Sequence, residues 1–321
     1  MAHSEHAIER WAPATVADGT TLIDLGFQDV QGVIGAYLLA GSGELALIES
    51  GPSSTRGHLA RGIAEAGYDL GDVSRLIVTH IHLDHAGAAG TLLRDYPQMR
   101  LTVHPNGAPH MIDPGRLVKS ATRIYGDQME RLWGEVVGVD PERVDVIQDG
   151  DVIEVAGTSL LVKDAPGHAG TQVVLLDGQT GVLFSADAAG ARLQGSAYVC
   201  PTISPPELDF PVWEQTVKMM RALKPKTLAL THFGVFHDAD RHLAQLIPNI
   251  EAEVAVAREV LRTEADVDAL TERLLARERE IYAAEGADVE ERMRQMEYAM
   301  PAWLGSLGLL RVFKKAGLLD Q

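Results

Sequence analysis

Three imidazoles and one carboxylate fall within six positions in the run Thr79-His80-Ile81-His82-Leu83-Asp84-His85-Ala86-Gly87. Imidazole nitrogens and carboxylate oxygens are suitable donors to zinc, iron or manganese, and an ionised Asp84 buried without a counter-charge would be costly. The run therefore reads as a metal site. A single histidine is more often a satisfied polar residue than a ligand, and it is the density of four such groups that changes the reading. The run follows Arg75-Leu76-Ile77-Val78, a short apolar stretch that reads as a buried strand. Its donors thus sit on the loop leaving a strand's carboxyl end, where open α/β sheets place their ligands. With the backbone near-extended, His80 and His82 point to the same side. Asp84 and His85, past the bend, face a second point nearby.

The same placement recurs along the chain. Ser159 to Val162 runs into Asp164-Ala165-Pro166-Gly167-His168, Val182 to Phe184 leads to Asp187, and Thr227 to Leu230 leads to His232. His168, Asp187 and His232 are three further candidate ligands, each at the end of an apolar strand. Strands gathered in a sandwich bring several ends to one rim, so such donors converge without being sequence neighbours. Glu49 closes the apolar run Leu45 to Ile48, and is either an ordinary turn carboxylate or a group that orients a metal-bound histidine. His104 and His110 stand in a loop with proline and glycine, without companions at ligand spacing, and read as loop or substrate-contact residues.

The elements that must position these groups follow from periodicity. Residues 21–48 alternate apolar stretches with turns and read as antiparallel strands. Helices are expected over 56–66 and 90–96, with a strand over 101–104 between the latter and the His104 loop. From Pro114 to Val137 apolar positions follow helical spacing, which reads as core packing, with a lid over the site as the sharper alternative. The strand pattern returns at Val144, where a second sheet is expected to begin, and continues through 182–187 and 227–232. Beyond His237 the chain turns helical: 249–261, 267–281 and 289–300, with Pro248 and Pro301 as breakers. Met293, Met296 and Met300 share a helical face suited to a core or a partner. The apolar segment 303–316 can dock on the main domain, form a homodimer, or help to cover the site. This organisation predicts a main domain over 1–240, with a helical insertion at about 113–138, and a C-terminal helical extension over 241–321 packed on it.

With 321 residues, 46% of them hydrophobic, the chain can bury a substantial core. Residues 1–20 carry charged groups and no long apolar run, so no signal peptide or membrane anchor is expected. Cys200 is the only cysteine, which excludes an intrachain disulfide and suits a reducing cytoplasm. A formal charge of −17 disfavours broad binding to nucleic acid or to an anionic membrane.

The ordered set His80, His82, Asp84, His85, His168, Asp187 and His232 resembles the signature of the metallo-β-lactamase superfamily, with the Pro-Gly-His of 166–168 and the Thr-His of 231–232 in support. The resemblance spans roughly residues 20–240. It implies an α/β fold, the αββα metallo-β-lactamase sandwich with an appended C-terminal helical region, and a two-metal site at one edge. It assigns His80, His82 and His168 to one metal, Asp84, His85 and His232 to the other, and Asp187 as a bridge. Within the superfamily the chain looks closest to the glyoxalase II-like and lactonase-like hydrolases. Glu49 stands where the family usually has a strand-end aspartate, and Ala188-Ala189-Gly190 follows Asp187 where glyoxalase II proper usually has a Thr-Leu-Phe-like run.

What the resemblance implies is hydrolysis of a small ester, lactone or thioester by a hydroxide bridging two divalent metal ions, zinc first, with iron or manganese as alternatives. Asp84 would move protons as well as bind metal. Tyr198 is a catalytic candidate that would donate to the carbonyl oxygen, or else a packed aromatic. Two other functions stay open: a mononuclear iron oxygenase of the persulfide dioxygenase type, and a non-catalytic, metal-stabilised ligand-binding or scaffold protein.

Overall fold

The computed structural model describes residues 12–263 and 266–318; part of the reading of residues 1–20 and the outer ends of the two expected segments lie outside the described residues. The first sheet takes seven strands in chain order, β1 (Ala14–Ala17), β2 (Thr20–Asp24), β3 (Gly35–Gly41), β4 (Glu44–Ile48), β5 (Val73–Ile77), β6 (Arg100–Val103) and β7 (Val144–Val146). Its first four strands are antiparallel, β2 to β4 as residues 21–48 predict and β1 ahead of that stretch, and pairing turns parallel from β4 to β7. The second sheet holds β8 (Val152–Val155), β9 (Thr158–Asp164), β10 (Val173–Asp177), β11 (Val182–Phe184), β12 (Thr227–Leu230) and β13 (Gly234–Phe236), ordered β13-β12-β11-β10-β9-β8. Only the β11–β12 pair in it is parallel.

The two-residue period of a strand decides what lies between the sheets. On β3, Tyr37 and Leu39 face the inter-sheet core with Phe184, Leu175 and Phe233 of the second half, while Ala36 and Leu38 face the helices outside. Tyr37, wholly buried, satisfies its hydroxyl by donating to the Leu230 carbonyl across the sandwich at 2.6 Å. Over the first sheet lie α1 (Arg56–Glu65), α2 (Leu83–Ala86), α3 (Ala89–Asp95), α4 (Ala108–Ile112), α5 (Gly115–Tyr125) and α6 (Met129–Trp133). Over the second lie α7 (Phe210–Ala222), α8 (Ala239–Thr263), α9 (Val267–Ala284) and α11 (Ala302–Lys315), while α10 (Val289–Ala299) sends Met296 and Ala299 into the core of the first. The result is an αββα sandwich of two mixed sheets, followed by the helices α8 to α11. Among the described residues no helix is long and apolar enough to cross a membrane.

Four local expectations need correcting. The 114–137 stripe is two helices, because Gly126 at φ 56 leaves helical space between α5 and α6 and Gly134 at φ 65 stops the second. β7 does not open the second sheet; it pairs with β6 in the first, through Leu101, Thr102 and Val103. The 182–187 run is strand only to Phe184, and Asp187 sits in a short 3-10 turn behind Ala186, whose φ is 41. Pro248 is no breaker: α8 passes through it, its buried Leu243, Leu246, Ile250 and Ala257 holding the helix in register.

Candidate metal centre

Five strand ends meet at one rim. Glu49 follows β4, His80 and His82 follow β5, His168 follows β9, Asp187 follows β11, and His232 follows β12; Asp84 and His85 open the single turn of α2. Backbone hydrogen bonds tie these loops together. The Val173 amide donates to the Thr79 carbonyl at 2.9 Å, the Ser50 amide to the His85 carbonyl at 2.8 Å, and the Gly35 amide to the Thr231 carbonyl at 2.9 Å. Glu49 is a non-glycine residue at φ 65, a backbone state that turns its side chain back under the histidines.

The second nitrogen of each buried ring is committed, and that fixes what the first nitrogen offers. His168 Nδ1–H donates to the Thr202 carbonyl at 2.6 Å, His232 Nδ1–H to the Val33 carbonyl at 3.0 Å, and His85 Nδ1–H to Glu49 Oε1 at 3.1 Å. The Thr79 hydroxyl donates to Glu49, so its oxygen accepts from His80 Nδ1–H at 3.1 Å. In all four rings Nε2 is therefore the atom aimed inward, a lone pair when the ring is neutral and an N–H facing a carboxylate when His85 or His232 is charged. His80 Nε2 and His168 Nε2 lie 3.0 and 3.1 Å from His82 Nδ1, which has at most one proton to share. His85 Nε2 lies 3.1 Å from Asp187 Oδ1, and His232 Nε2 lies 3.2 Å from Asp84 Oδ2. His168 Nε2 and His232 Nε2 also approach Asp187, at 3.4 and 3.6 Å.

This donor set fits cations. One proton on His82 Nδ1 can satisfy only one of the two ring nitrogens that face it, so the other repels unless a positive charge stands among them, and His85 Nε2 and Asp187 Oδ1 are buried atoms without a hydrogen-bond partner. Ligand atoms of His80, His82 and His168 lie within 4.8 Å of one another, and so do those of Asp84, His85 and His232. A third such group, Glu49 with His80 and His85, shares its rings with the first two. Electrostatics separates the two halves. Burial lowers the pKa of His80 well below the ordinary range, lowers His82, and brings His168 down to about 4, so these rings are neutral donors. Burial also opposes charge on His85 and His232, but the carboxylates of Asp187 and Asp84 outweigh it and raise both. Asp187 and Asp84 are correspondingly held ionised against burial, by His85 and His232.

All seven residues expected as ligands are therefore at one place, with Glu49 beneath them. His104 stands apart, accepting from the Asn106 amide at 3.2 Å. Tyr198 does not turn toward the centre: its hydroxyl accepts from Arg277 at 3.1 Å and donates to Glu253 at 3.3 Å, and its ring packs edge-on against Tyr282. The candidate donor is thus a packed aromatic. Groups that the sequence did not signal are the Val33 and Thr202 carbonyls, which have no side-chain signature, and Tyr125.

Two adjoining cavities open on the centre. The smaller, about 90 Å³, is lined by His82, Asp84 and Asp187 together with α5 and Pro205-Pro206. The larger, about 350 Å³, reaches from Asp84 between α5–α6 and the start of α11. Leu117, Ala121 and Ile124 of α5 face the smaller cavity, so the inserted helix covers the centre as well as packing on the core.

Fold and centre together define a class, the αββα sandwich with a His/Asp cluster at its rim that is able to hold metal. The sequence profile of the Metallo-beta-lactamase superfamily matches residues 31–232, and the chain belongs to that superfamily. It is 27% identical over 243 residues to a metallo-beta-lactamase fold-containing protein of Sulfurisphaera tokodaii, covering 72% of this chain and 87% of that one. It is 26% identical over 202 residues to an acyl-coenzyme A thioesterase of Homo sapiens, covering 56% of this chain and 67% of that one. A metallo-beta-lactamase family protein from Thermus thermophilus superposes with a TM-score of 0.68 at 21% identity, over 94% of this chain and 95% of that one.

Proposed function

We propose that the chain is a metal-dependent hydrolase of small esters, lactones or thioesters that uses two divalent ions, zinc first. The observation that carries this reading is the inward convergence of four committed imidazoles, His82 and two ionised aspartates at a rim that opens onto an apolar cavity. Its 26% identity to an acyl-coenzyme A thioesterase supports the thioester end of that range. His80, His82 and His168 would hold one ion, Asp84, His85 and His232 the other, and Asp187 would bridge them. When bound, such ions supply the Lewis acidity that activates water at neutral pH and polarises a carbonyl.

The chain's own residues do the rest. Asp84, 21% exposed and facing both cavities, is ionised and can take the proton released as water adds to the acyl carbon. The carbon–oxygen or carbon–sulfur bond then breaks, and that proton goes to the departing alkoxide or thiolate. Glu49 and the Thr202 and Val33 carbonyls hold the rings in the tautomer that presents Nε2. Metal content per chain, by elemental analysis of protein purified without added metal, tests the reading beside ester, lactone and thioester assays. Two zinc or manganese ions, falling to about one in Asp187→Asn together with the rate, is the expected result. One iron per chain with oxygen uptake on a persulfide would replace it with the oxygenase.

A further inference from the structure

The larger cavity and Tyr125 together suggest what the substrate carries. The cavity is built where α5–α6 meets α10 and α11, and concentrates rings: Phe27, Tyr125, Trp133, Tyr298 and Trp303 all line it. Phe27 stacks on Trp133 with centroids 5.6 Å apart, and Tyr125 meets Trp133 and Trp303 edge-on at 5.0 and 5.8 Å. Ile124, Met300 and Leu304 complete an apolar wall shared with the smaller cavity beside the metal centre. At about 350 Å³ it falls at the lower end of the range for small-molecule pockets. Among the described residues Arg131 and Glu297 are its only charged lining besides Asp84, so it has little to offer a polyanionic or peptide leaving group.

Tyr125 lines both cavities at their junction with Asp84, and among the described residues its hydroxyl has no hydrogen-bond partner. A tyrosine hydroxyl, with an ordinary pKa of about 10, keeps its proton at neutral pH and is a donor. Tyr198, the tyrosine nearer in sequence to Asp187, has its hydroxyl already occupied.

We propose that the aromatic cavity seats an apolar acyl group, ring-bearing or of medium chain length, and that the Tyr125 hydroxyl donates to the acyl oxygen at the cavity's inner end. This rests on the hydrolase reading and names its substrate class. The leaving group departs by the side of the smaller cavity.

The test compares acetyl, octanoyl and phenylacetyl thioesters and esters of one leaving group, and in parallel follows binding of octanoate and phenylacetate by quenching of tryptophan fluorescence in metal-loaded and chelator-treated protein. Octanoyl and phenylacetyl substrates are expected to exceed acetyl in kcat/KM by at least about tenfold, since each buried methylene discriminates. Tyr125→Phe is expected to lower kcat by about 10- to 100-fold, at unchanged metal content and with KM little altered, as loss of one carbonyl donor does. A role confined to packing would leave kcat where it was. Ile124→Trp, which fills the cavity, lowers the octanoyl-to-acetyl ratio and weakens octanoate binding, and Trp303→Ala, which enlarges it, shifts preference to longer chains. If acetyl and octanoyl substrates turn over alike and neither acid binds, the cavity assignment fails while the hydrolase stands. If both acids bind but no member of the panel is hydrolysed, the hydrolase reading fails and the cavity stands. An unchanged kcat in Tyr125→Phe overturns the role of that hydroxyl.

Discussion

Glu49 shows how much of this centre is arranged one bond away from it. Its Oε1 receives the His85 ring at 3.1 Å and the Thr79 hydroxyl, and through that hydroxyl it reaches the His80 ring, so one buried carboxylate fixes a tautomer in each half of the donor set. Glutamine in its place would keep the size but remove the charge and turn one acceptor into a donor. Glu49→Gln is expected to weaken metal retention by about 10- to 100-fold, the usual consequence of losing a partner behind a ligand. Competition with a chromophoric chelator measures it, and retention equal to the parent would show that the His85 tautomer is held by something else. The candidate ligands were readable from sequence because four crowd into six positions after β5, and His168, Asp187 and His232 each follow an apolar strand of their own. Glu49 was half-readable, since a carboxylate at a strand end looks the same whether it turns toward water or, at φ 65, back under a ring. The direction of a tyrosine hydroxyl was not readable at all: Tyr198 lies 11 residues beyond Asp187, but its partners Glu253 and Arg277 come from 55 and 79 residues further on.

At the scale of elements, the junction between β9 and α7 sets His168. Gly167 has φ 125, and a Cβ there would lie 2.4 Å from the Cα of Trp213, whose indole N–H donates to the Ala188 carbonyl beside Asp187 at 2.8 Å. Two ligand-bearing turns and one helix therefore close on a point where only glycine fits. Gly167→Ala is expected to cost about 2 kcal/mol or more in denaturant unfolding and to reduce metal content at the His168 half of the centre. Gly43, at φ 79 with nothing within 4 Å of a Cβ, is the control: Gly43→Ala carries the backbone strain alone, about 1 kcal/mol, with metal content unaltered. Equal losses in both variants would mean that conformation, not the approach of Trp213, governs the site. Pattern reading located nearly every strand because the sandwich buries them in period two, and it failed where long-range packing overrides a local signal. Pro248 removes one hydrogen bond from α8, and a 25-residue helix buried along its length tolerates that. The stripe on α5 faces core and cavity alike, and helical spacing does not distinguish a neighbour from a void.

At the scale of the whole molecule, the C-terminal helices bury acid as well as apolar surface. Where α8 and α9 cover the 198–200 segment, Glu253 and Glu278 are about 5% exposed, beside Tyr198, Cys200 and Arg277. Burial, which disfavours the charged form, is the leading cause that pushes Glu253 up to about 7 and Glu278 up to about 8, against an ordinary value of 4.5. Below about pH 4.5 both carboxyls are protonated whether the chain is folded or not, and they cost nothing. As pH rises the unfolded chain releases their protons first while the folded chain still holds them, so stability falls with pH until the folded groups also ionise, near 7 and 8. At about 1.4 kcal/mol per unit, the loss carried by Glu278 alone is a few kcal/mol. Glu278→Gln keeps the shape and removes the titration. Its Tm is therefore expected to match that of the parent near pH 4.5, to exceed it increasingly toward pH 8, and to stay several degrees above it beyond. A thermal-melting series in chelated protein separates this effect from metal loss at low pH. A constant difference between the two proteins across the series would mean that Glu278 titrates alike in the folded and the unfolded chain, with Arg277 offsetting its burial.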